Sequence, residues 1–293
     1  MIVVAKLASF SVLLLLAFVA AVAAGRELNP DKPAGLAGES HAAPDGGSMN
    51  MSSGGHGAVS AHAVRGLSVT DEGVRLVVTT PELERGKQEQ ISFHIVDEAG
   101  KTVRDFEPTH TKRMHLIVVR RDLTGFQHLH PAMSADGTWS VRTSLPEAGS
   151  YRVFADFLRD DEPVTLASDL RVDGGSDLRP LPAPADAATS DDGYRVHFSD
   201  RGAQPDRPSA LRFTVTRDGR PVEVEPYLGA SGHLVALREG DLAFLHVHPE
   251  EHASAPGAID FESTFPSIGT YRLFLQFQHE GRVQTVAFTK EMK

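Results

Sequence analysis

The strongest constraint on the fold is an internal repeat that covers most of the chain. Asp71-Glu72-Gly73 recurs as Asp191-Asp192-Gly193 at an offset of 120 residues. The offset shortens to 118 in the middle of each copy and returns to 120 where Tyr151 matches Tyr271. Compensating gaps of this kind belong in loops, so the two copies share one fold.

Short β-branched and aromatic segments, separated by Asp/Gly turn signals, predict an all-β fold for each copy. In the first copy these segments are 74–80, 89–97, 113–120, 125–130, 138–144, 150–158 and 164–172, with counterparts in the second. About seven short strands in roughly 100 residues are typical of an Ig-like or cupredoxin-like β-sandwich. We therefore predict two tandem β-sandwiches, residues 64–172 and 193–293, joined by a proline-containing linker at 173–192.

The N-terminal region carries a targeting pattern and then a polar segment. Residues 1–24 contain one cation, Lys6, and an apolar run that closes on small residues, as in a cleaved secretory signal peptide. The 18 apolar or small residues from Leu7 to Ala24 leave an uncleaved membrane anchor as the alternative. Residues 25–63 lack apolar periodicity and predict a disordered tether with scattered His and Met. We expect the folded part to be secreted, periplasmic or held at the cell envelope.

Composition limits the chemistry that the chain can perform. With 29 Lys plus Arg against 39 Asp plus Glu, the net charge is −10, which argues against nucleic acid as a partner. The absence of cysteine excludes disulfides, thiolate metal sites, Cys nucleophiles and the blue-copper centre. The 14 His and 6 Met are the remaining soft ligands.

Six histidines occupy matched positions with the spacing His-x12-His-x-His-Pro. The first triad is His115, His128 and His130, and the second triad is His233, His246 and His248. Alternate residues of a strand share a face, so each His-x-His pair presents both imidazoles to one ion. A hairpin turn near 122–125 would bring His115 to the same end of the sheet. Three convergent imidazoles suit Cu, Zn, Ni or non-thiolate Fe.

Other interpretations of the histidines stay open at this point. Duplication copies any pattern, so the triads also fit polar strand ends or partly buried histidines bonded to carbonyls. Phe126 and Phe244 share the face of the His-x-His pairs, which makes that face core-like. Met133, three residues past His130, would favour Cu(I) as a ligand and is otherwise ordinary packing. Its counterpart is Glu251, and Glu250, Glu251 or His252 beside the second triad would favour a harder ion such as Cu(II) or Zn(II).

The remaining motifs are interpreted as structural. The Pro-x-x-Gly-x-Tyr motifs that end at Tyr151 and Tyr271 predict an anchoring tyrosine like that of a tyrosine corner. Asp156 could orient an imidazole, but Gln276 replaces it in the second copy. Four histidines have no counterpart in the other copy and are interpreted as scattered surface histidines or as histidines whose hydrogen bonding is satisfied: His94, His110, His197 and His279.

The segment from His115 to Pro131, followed by Gly137-Thr138-Trp139 and the Tyr151 motif, resembles a group of bacterial secreted or periplasmic sandwich domains. These domains occur among systems that handle copper and other heavy metals. The resemblance covers both copies but not the tether, and the second copy lacks the tryptophan. It implies metal binding or delivery and does not imply a reaction.

The expected function is therefore extracytoplasmic metal binding, as a copper chaperone or buffer with one three-His site per copy. A second extracytoplasmic metal-handling protein is the expected partner, and membrane contact requires an uncleaved N-terminal segment. One alternative is a tandem Ig-like adhesion or scaffold module without metal. The other is a zinc-dependent hydrolase with an open three-His site, which is less favoured because no matched Asp, Glu or Ser lies beside both triads.

Overall fold

The computed structural model describes residues 64–245, 247–250 and 255–293, without the side chain of His248. The predicted signal peptide, 1–24, and tether, 25–63, lie outside the described residues. The described part of the chain is all-β and has no helix that could cross a bilayer. The predicted fold class, two tandem β-sandwiches, is confirmed.

Ten strands belong to each copy. In the first copy they are β1 Thr70–Asp71, β2 Val74–Val78, β3 Glu82–Leu83, β4 Gln88–Asp97, β5 His115–Arg120, β6 Gln127–Leu129, β7 Ala132–Met133, β8 Trp139–Ser144, β9 Gly149–Arg159 and β10 Glu162–Val172. In the second copy they are β11 Ala187–Thr189, β12 Arg195–Ser199, β13 Pro208–Arg217, β14 Arg220–Pro221, β15 His233–Arg238, β16 Phe244–Leu245, β17 Val247–Pro249, β18 Ala258–Thr264, β19 Gly269–His279 and β20 Arg282–Met292. In the first copy a strand overlaps each of the seven predicted segments, and β11 lies within the stretch predicted as linker.

Each copy is a sandwich of an outer and an inner sheet, named here by their position in the tandem. The outer sheets have the strand orders β1-β2-β4-β8-β7 and β11-β12-β13-β18-β17, with β14 paired to β13. The inner sheets have the orders β3-β10-β9-β5-β6 and β16-β15-β19-β20. One apolar core fills each sandwich, around Phe93, Trp139 and Phe157 in the first and around Phe213, Phe261 and Phe277 in the second.

A third apolar core joins the two sandwiches through their inner sheets. Strand β5 is buried along its whole length because its alternate side chains face two different cores. Leu116 and Val118 face the first sandwich core, whereas Ile117 and Val119 face the second copy. The third core, called the inter-repeat core, contains Ile117, Val119, Leu123, Phe154 and Ala167 of the first copy and Val235, Leu237, Leu242, Phe244 and Phe274 of the second.

Aromatic contacts in the inter-repeat core relate the two copies by an approximate two-fold rotation. Phe126 stacks on Phe274 with ring centroids 4.1 Å apart, and Phe154 contacts Phe244 at 5.5 Å. In the repeat, Phe126 corresponds to Phe244 and Phe154 corresponds to Phe274. Exchanging the two copies therefore converts the Phe126–Phe274 contact into the Phe244–Phe154 contact. This reciprocity is the property of an isologous interface.

The chain enters the fold across this junction. The Phe244 backbone N–H donates to the Arg65 carbonyl oxygen at 2.9 Å, and the Gly66 N–H donates to the Thr165 carbonyl oxygen at 3.3 Å. Gly66 has a φ of +70°, and a Cβ there would come within 2.8 Å of the Phe154 ring. Glycine is thus required where the entering segment bridges the copies.

The predicted tyrosine anchors are present in both copies. The Tyr151 hydroxyl donates to the Glu147 carbonyl oxygen at 2.8 Å, and the Tyr271 hydroxyl donates to the Ser267 carbonyl oxygen at 3.0 Å. Both rings are fully buried, so each hydroxyl ties the turn before an inner-sheet strand to the strand itself.

Tyr151→Phe should lower the free energy of unfolding by about 1 kcal/mol, because one buried hydrogen bond is lost and the ring packing is kept. Tyr271→Phe should lose at least as much, since its hydroxyl makes the equivalent bond and also lies 3.1 Å from Ser267 Oγ. Chemical denaturation of both variants measures the change, and losses below about 0.3 kcal/mol in both would contradict the anchoring role.

Candidate metal centre

The β5–β6 hairpin assembles the first triad. Leu116 pairs with Leu129 and Ile117 with His128 in antiparallel register, which brings His115 next to His130 at the end of the hairpin. The three side chains each offer a ring nitrogen, and these nitrogens lie within 4.8 Å of one another. The predicted convergence of the first triad is confirmed.

A buried ion pair fixes the turn of this hairpin. Arg120 and Asp122 form a salt bridge in which both side chains are almost fully buried. Burial raises the pKa of Asp122, but hydrogen bonds from Arg120 and Thr124 outweigh it and hold this pKa far below its usual range. The carboxylate therefore stays charged and holds the turn between β5 and β6.

Ring spacing within the first triad matches coordination of one ion. The ring centroids are 5.1 Å apart for His115 and His128, 5.1 Å for His115 and His130, and 4.8 Å for His128 and His130. Three imidazoles that bind a tetrahedral ion at about 2.0–2.1 Å place their centroids about 5 Å apart. The rings therefore need little movement to bind a metal.

Outer hydrogen bonds set the tautomers of two of the rings. His115 Nε2 is 3.1 Å from the Thr109 carbonyl oxygen, which only accepts, so this nitrogen carries the proton. His128 Nδ1 donates to Gln276 Oε1 at 2.8 Å, while the Gln276 amide nitrogen donates to Thr285 Oγ1. A neutral imidazole has one N–H, so the inner nitrogens, His115 Nδ1 and His128 Nε2, both present lone pairs.

Those two lone pairs face each other without a donor between them. His115 Nδ1 and His128 Nε2 are 2.9 Å apart, and His130 Nε2 is buried without a hydrogen-bond partner among the described residues. A cation must separate the lone pairs, either a proton or a metal ion. Burial and the neighbouring histidines lower the pKa of His128 far below its usual value and that of His130 to about 4. The lowered pKa values of His128 and His130 disfavour a proton on these two rings at neutral pH, and a metal ion fits between the facing lone pairs.

The second copy contributes to the same place. The His233 ring lies 6.2 Å from that of His115 and 6.0 Å from that of His128, and burial lowers the pKa of His233 to about 3. The His110 ring lies 4.8 Å from that of His233. Five histidines thus form one group, called the histidine cluster: His110, His115, His128, His130 and His233.

His110, interpreted from the sequence as a scattered surface or satisfied histidine, belongs to the histidine cluster. Its ring lies 6.3 Å from that of His115, inside the histidine cluster. The position that corresponds to it in the second copy holds Leu228, so repeat matching gave no signal for it. The other unmatched histidine with a resolved partner, His279, hydrogen-bonds the Tyr194 hydroxyl at 2.7 Å, as a satisfied histidine does.

A small cavity of about 70 Å³ adjoins the cluster between the two copies. Its walls include His115, His128, His233 and Asp156. Asp156 pairs with His115 across β5 and β9 and accepts a hydrogen bond from Thr165 at 2.7 Å. Such a space admits an ion with a water molecule, whereas small-molecule sites usually measure about 300–1,000 Å³.

Comparison with protein families now places the chain. One family model, described as a domain of unknown function (DUF8832), matches residues 68–174 and again 188–293. The chain belongs to the DUF8832 family. The two matches coincide with the two sandwiches, so each sandwich is one DUF8832 domain. No curated protein matches the sequence.

Solved structures resemble the two DUF8832 domains only distantly. An Escherichia coli adhesin, FdeC, has a TM-score of 0.27 and 13% identity over 77% of this chain and 66% of that one. The Yersinia pseudotuberculosis adhesin InvE has a TM-score of 0.24 and 11% identity over 74% and 58%. Trypsin-activated alpha-2-macroglobulin from Escherichia coli has a TM-score of 0.28 and 12% identity over 80% and 16%. The chain spans less than two thirds of the length of each of these structures, and likenesses this weak carry no argument.

The second triad is described only in part in the second DUF8832 domain. His233 begins β15 opposite Gln276 of β19. The backbone of His248 pairs with Glu262 in the outer sheet, and its side chain and all of His246 lie outside the described residues. Glu251 and His252 lie outside them as well. A separate second three-His site stays a prediction.

The methionines of the first DUF8832 domain lie in or against its core. Met133 pairs with Trp139 across β7 and β8 and packs against the first sandwich core. Met114 is buried in the same core. A thioether ligand for Cu(I) stays a prediction.

Gly232→Ala should destabilise the second DUF8832 domain next to His233. A Cβ at this position would come within 2.8 Å of the Gln276 carbonyl oxygen and 3.1 Å of Ile259 Cγ2. We expect a loss of about 1–3 kcal/mol in unfolding free energy, as for overpacked cores. Gly175→Ala, with nothing within 4 Å of the added atom, is the matched control. Equal stability of the two variants in denaturant would contradict the close packing.

Proposed function

We propose that this protein binds one transition-metal ion at His115, His128 and His130, as a copper-binding protein for which zinc is the competing ion. The proposal rests on one observation: His115 Nδ1 and His128 Nε2 lie 2.9 Å apart, with their lone pairs facing each other. Imidazole nitrogen suits both copper and zinc, and Cu(II) binds more tightly at most such sites.

Binding fits the site better than hydrolysis does. An open zinc site needs a free coordination position and space for a substrate beside it. The cavity beside the triad is about 70 Å³ and is lined by residues of both copies, which leaves little room for a substrate. We therefore propose a role in holding or buffering the metal, and the signal-like pattern of residues 1–24 supports a location outside the cytoplasm.

Titration of the full chain with Cu(I), Cu(II) and Zn(II) tests the proposal. His115→Ala/His128→Ala should weaken the tight site at least 100-fold, whereas His197→Ala, which removes an exposed histidine on β12, should leave it unchanged. A third variant, His41→Ala/His56→Ala/His62→Ala, separates binding by the N-terminal segment. Tight binding that survives the first variant and disappears in the third would overturn the site.

The second candidate function is a tandem sandwich module for adhesion or scaffolding. The observation that favours it is the inter-repeat core, which fixes the two sandwiches to each other through apolar side chains and requires no ion. In this case the histidine cluster is a polar margin of the interface, bonded to Thr109 and Gln276. The same titration decides, because a wild-type chain that binds none of the three ions tightly supports this candidate.

A further inference from the structure

We propose that His233 of the second copy is the fourth ligand of this ion, so that one closed four-imidazole site is shared by the two copies. The inference rests on the proposed function, since it adds a ligand to the first triad. It replaces the expectation of one independent three-His site per copy with a single site at their junction.

Ring positions support His233 as the additional ligand. Its centroid lies 6.0 Å from that of His128 and 6.2 Å from that of His115, about 1 Å beyond the spacing of about 5 Å for imidazoles on one tetrahedral ion. The rings of His115 and His233 are inclined by 28°. A shift of the His233 ring by about 1 Å toward His115 and His128 would bring it to this spacing.

Hydrogen bonding leaves a lone pair of His233 available. The ring has a hydrogen bond to the Tyr227 backbone, and Nε2 is buried without a hydrogen-bond partner among the described residues. Nothing among the described residues therefore occupies His233 Nε2. His233 Nε2 then carries a lone pair, as the inner nitrogens of His115 and His128 do.

Gln276 is a positioning residue for the same site and also belongs to the second copy. Its Oε1 accepts the His128 Nδ1 proton, and its amide nitrogen is held by Thr285 of the neighbouring strand. The bond fixes the metal-binding tautomer of His128 in the way that outer-shell acceptors do in known metal sites. The first triad thus depends on docking of the second copy.

Shared ligation predicts how a bound ion is coordinated. Four protein ligands leave no position for water, which is the pattern of structural zinc sites. X-ray absorption on the Zn(II)-loaded full chain should count four imidazoles per ion. His233→Ala should reduce the count to three and weaken Zn(II) binding at least 10-fold, at a stoichiometry of one ion per chain in the wild type.

Variants at Gln276 test the positioning role. Gln276→Glu keeps an acceptor for His128 Nδ1 and should keep Zn(II) affinity within a few-fold, whereas Gln276→Leu should weaken it 10- to 100-fold. His197→Ala is the control for the loss of an exposed imidazole. Thermal unfolding of the metal-free variants shows whether each one is folded before its affinity is interpreted.

The outcomes separate this inference from the proposed function. If His115→Ala/His128→Ala abolishes Zn(II) binding and His233→Ala leaves affinity and imidazole count unchanged, the triad site stands and the shared site is overturned. If neither variant changes binding, both proposals fail. Two ions per chain with three imidazoles each would also overturn the shared site.

Discussion

Phe274→Ala should lower the free energy of unfolding by about 3–5 kcal/mol, the range for removal of a buried phenylalanine from a core. Phe274 is 3% exposed and stacks on Phe126 with an interplanar angle of 7°. Loss of the phenyl ring leaves a cavity in the inter-repeat core. Because this core lies between two sheets, the surrounding side chains have little freedom to fill the cavity. Urea denaturation measures the loss.

The two-fold relation of the copies supplies a matched variant. Phe154→Ala removes the corresponding ring and should cost a similar amount, while Ile268→Ala, at a side chain that is 69% exposed, should change stability by less than about 0.5 kcal/mol. If Phe274→Ala and Ile268→Ala lose equal stability, the inter-repeat core does not hold the copies together. Phe274 lies two residues from Gln276 on the same face of β19, so its loss should weaken metal binding as well.

Acid should destabilise the metal-free protein between pH 6.5 and about 4. Burial holds the pKa of His130 at about 4 and that of His233 at about 3, whereas both titrate near 6.5 in the unfolded chain. Below pH 6.5 the unfolded state binds more protons, so stability falls as the pH falls. Each such histidine contributes about 1.4 kcal/mol per pH unit in this window.

The acid effect is checked by unfolding free energies from pH 7 to pH 4.5 in the presence of a chelator. His130→Gln and His233→Gln should each give a shallower dependence, because each removes one depressed pKa. His197→Gln, at an exposed position on β12, should keep the wild-type slope. Identical slopes in all four proteins would show that the cluster histidines are not buried in neutral form.

Much of each sandwich could be predicted from the sequence. Strand periodicity and Asp/Gly turns are local signals, so β2, β4, β5, β8, β9 and β10 overlap the predicted segments. The same local logic predicted a hairpin turn near 122–125 that brings His115 to the end of the sheet where His128 and His130 lie, and β5 and β6 form this hairpin. The tyrosine motif, with its fixed spacing to a turn carbonyl, was recognisable for the same reason.

The junction between the copies could not be predicted, because it depends on contacts between residues more than 100 positions apart. Strand β5 is buried along its whole length, but its sequence does not show which residues cover its second face. Gln276 looked like a lost counterpart of Asp156, and only packing of the inner sheets shows that it bonds His128. His110 joins the cluster from a loop without periodicity.

The reciprocal contacts of Phe126 with Phe274 and of Phe244 with Phe154 have a consequence for how such a tandem arises. A patch that binds its own counterpart is complementary to itself, so one sandwich alone would pair with a second copy as a homodimer. Fusion of two sandwiches in one chain replaces that bimolecular step with an intramolecular one, at an effective concentration on the order of millimolar. Each half is then free to diverge, and Asp156 and Gln276 mark where the halves no longer match.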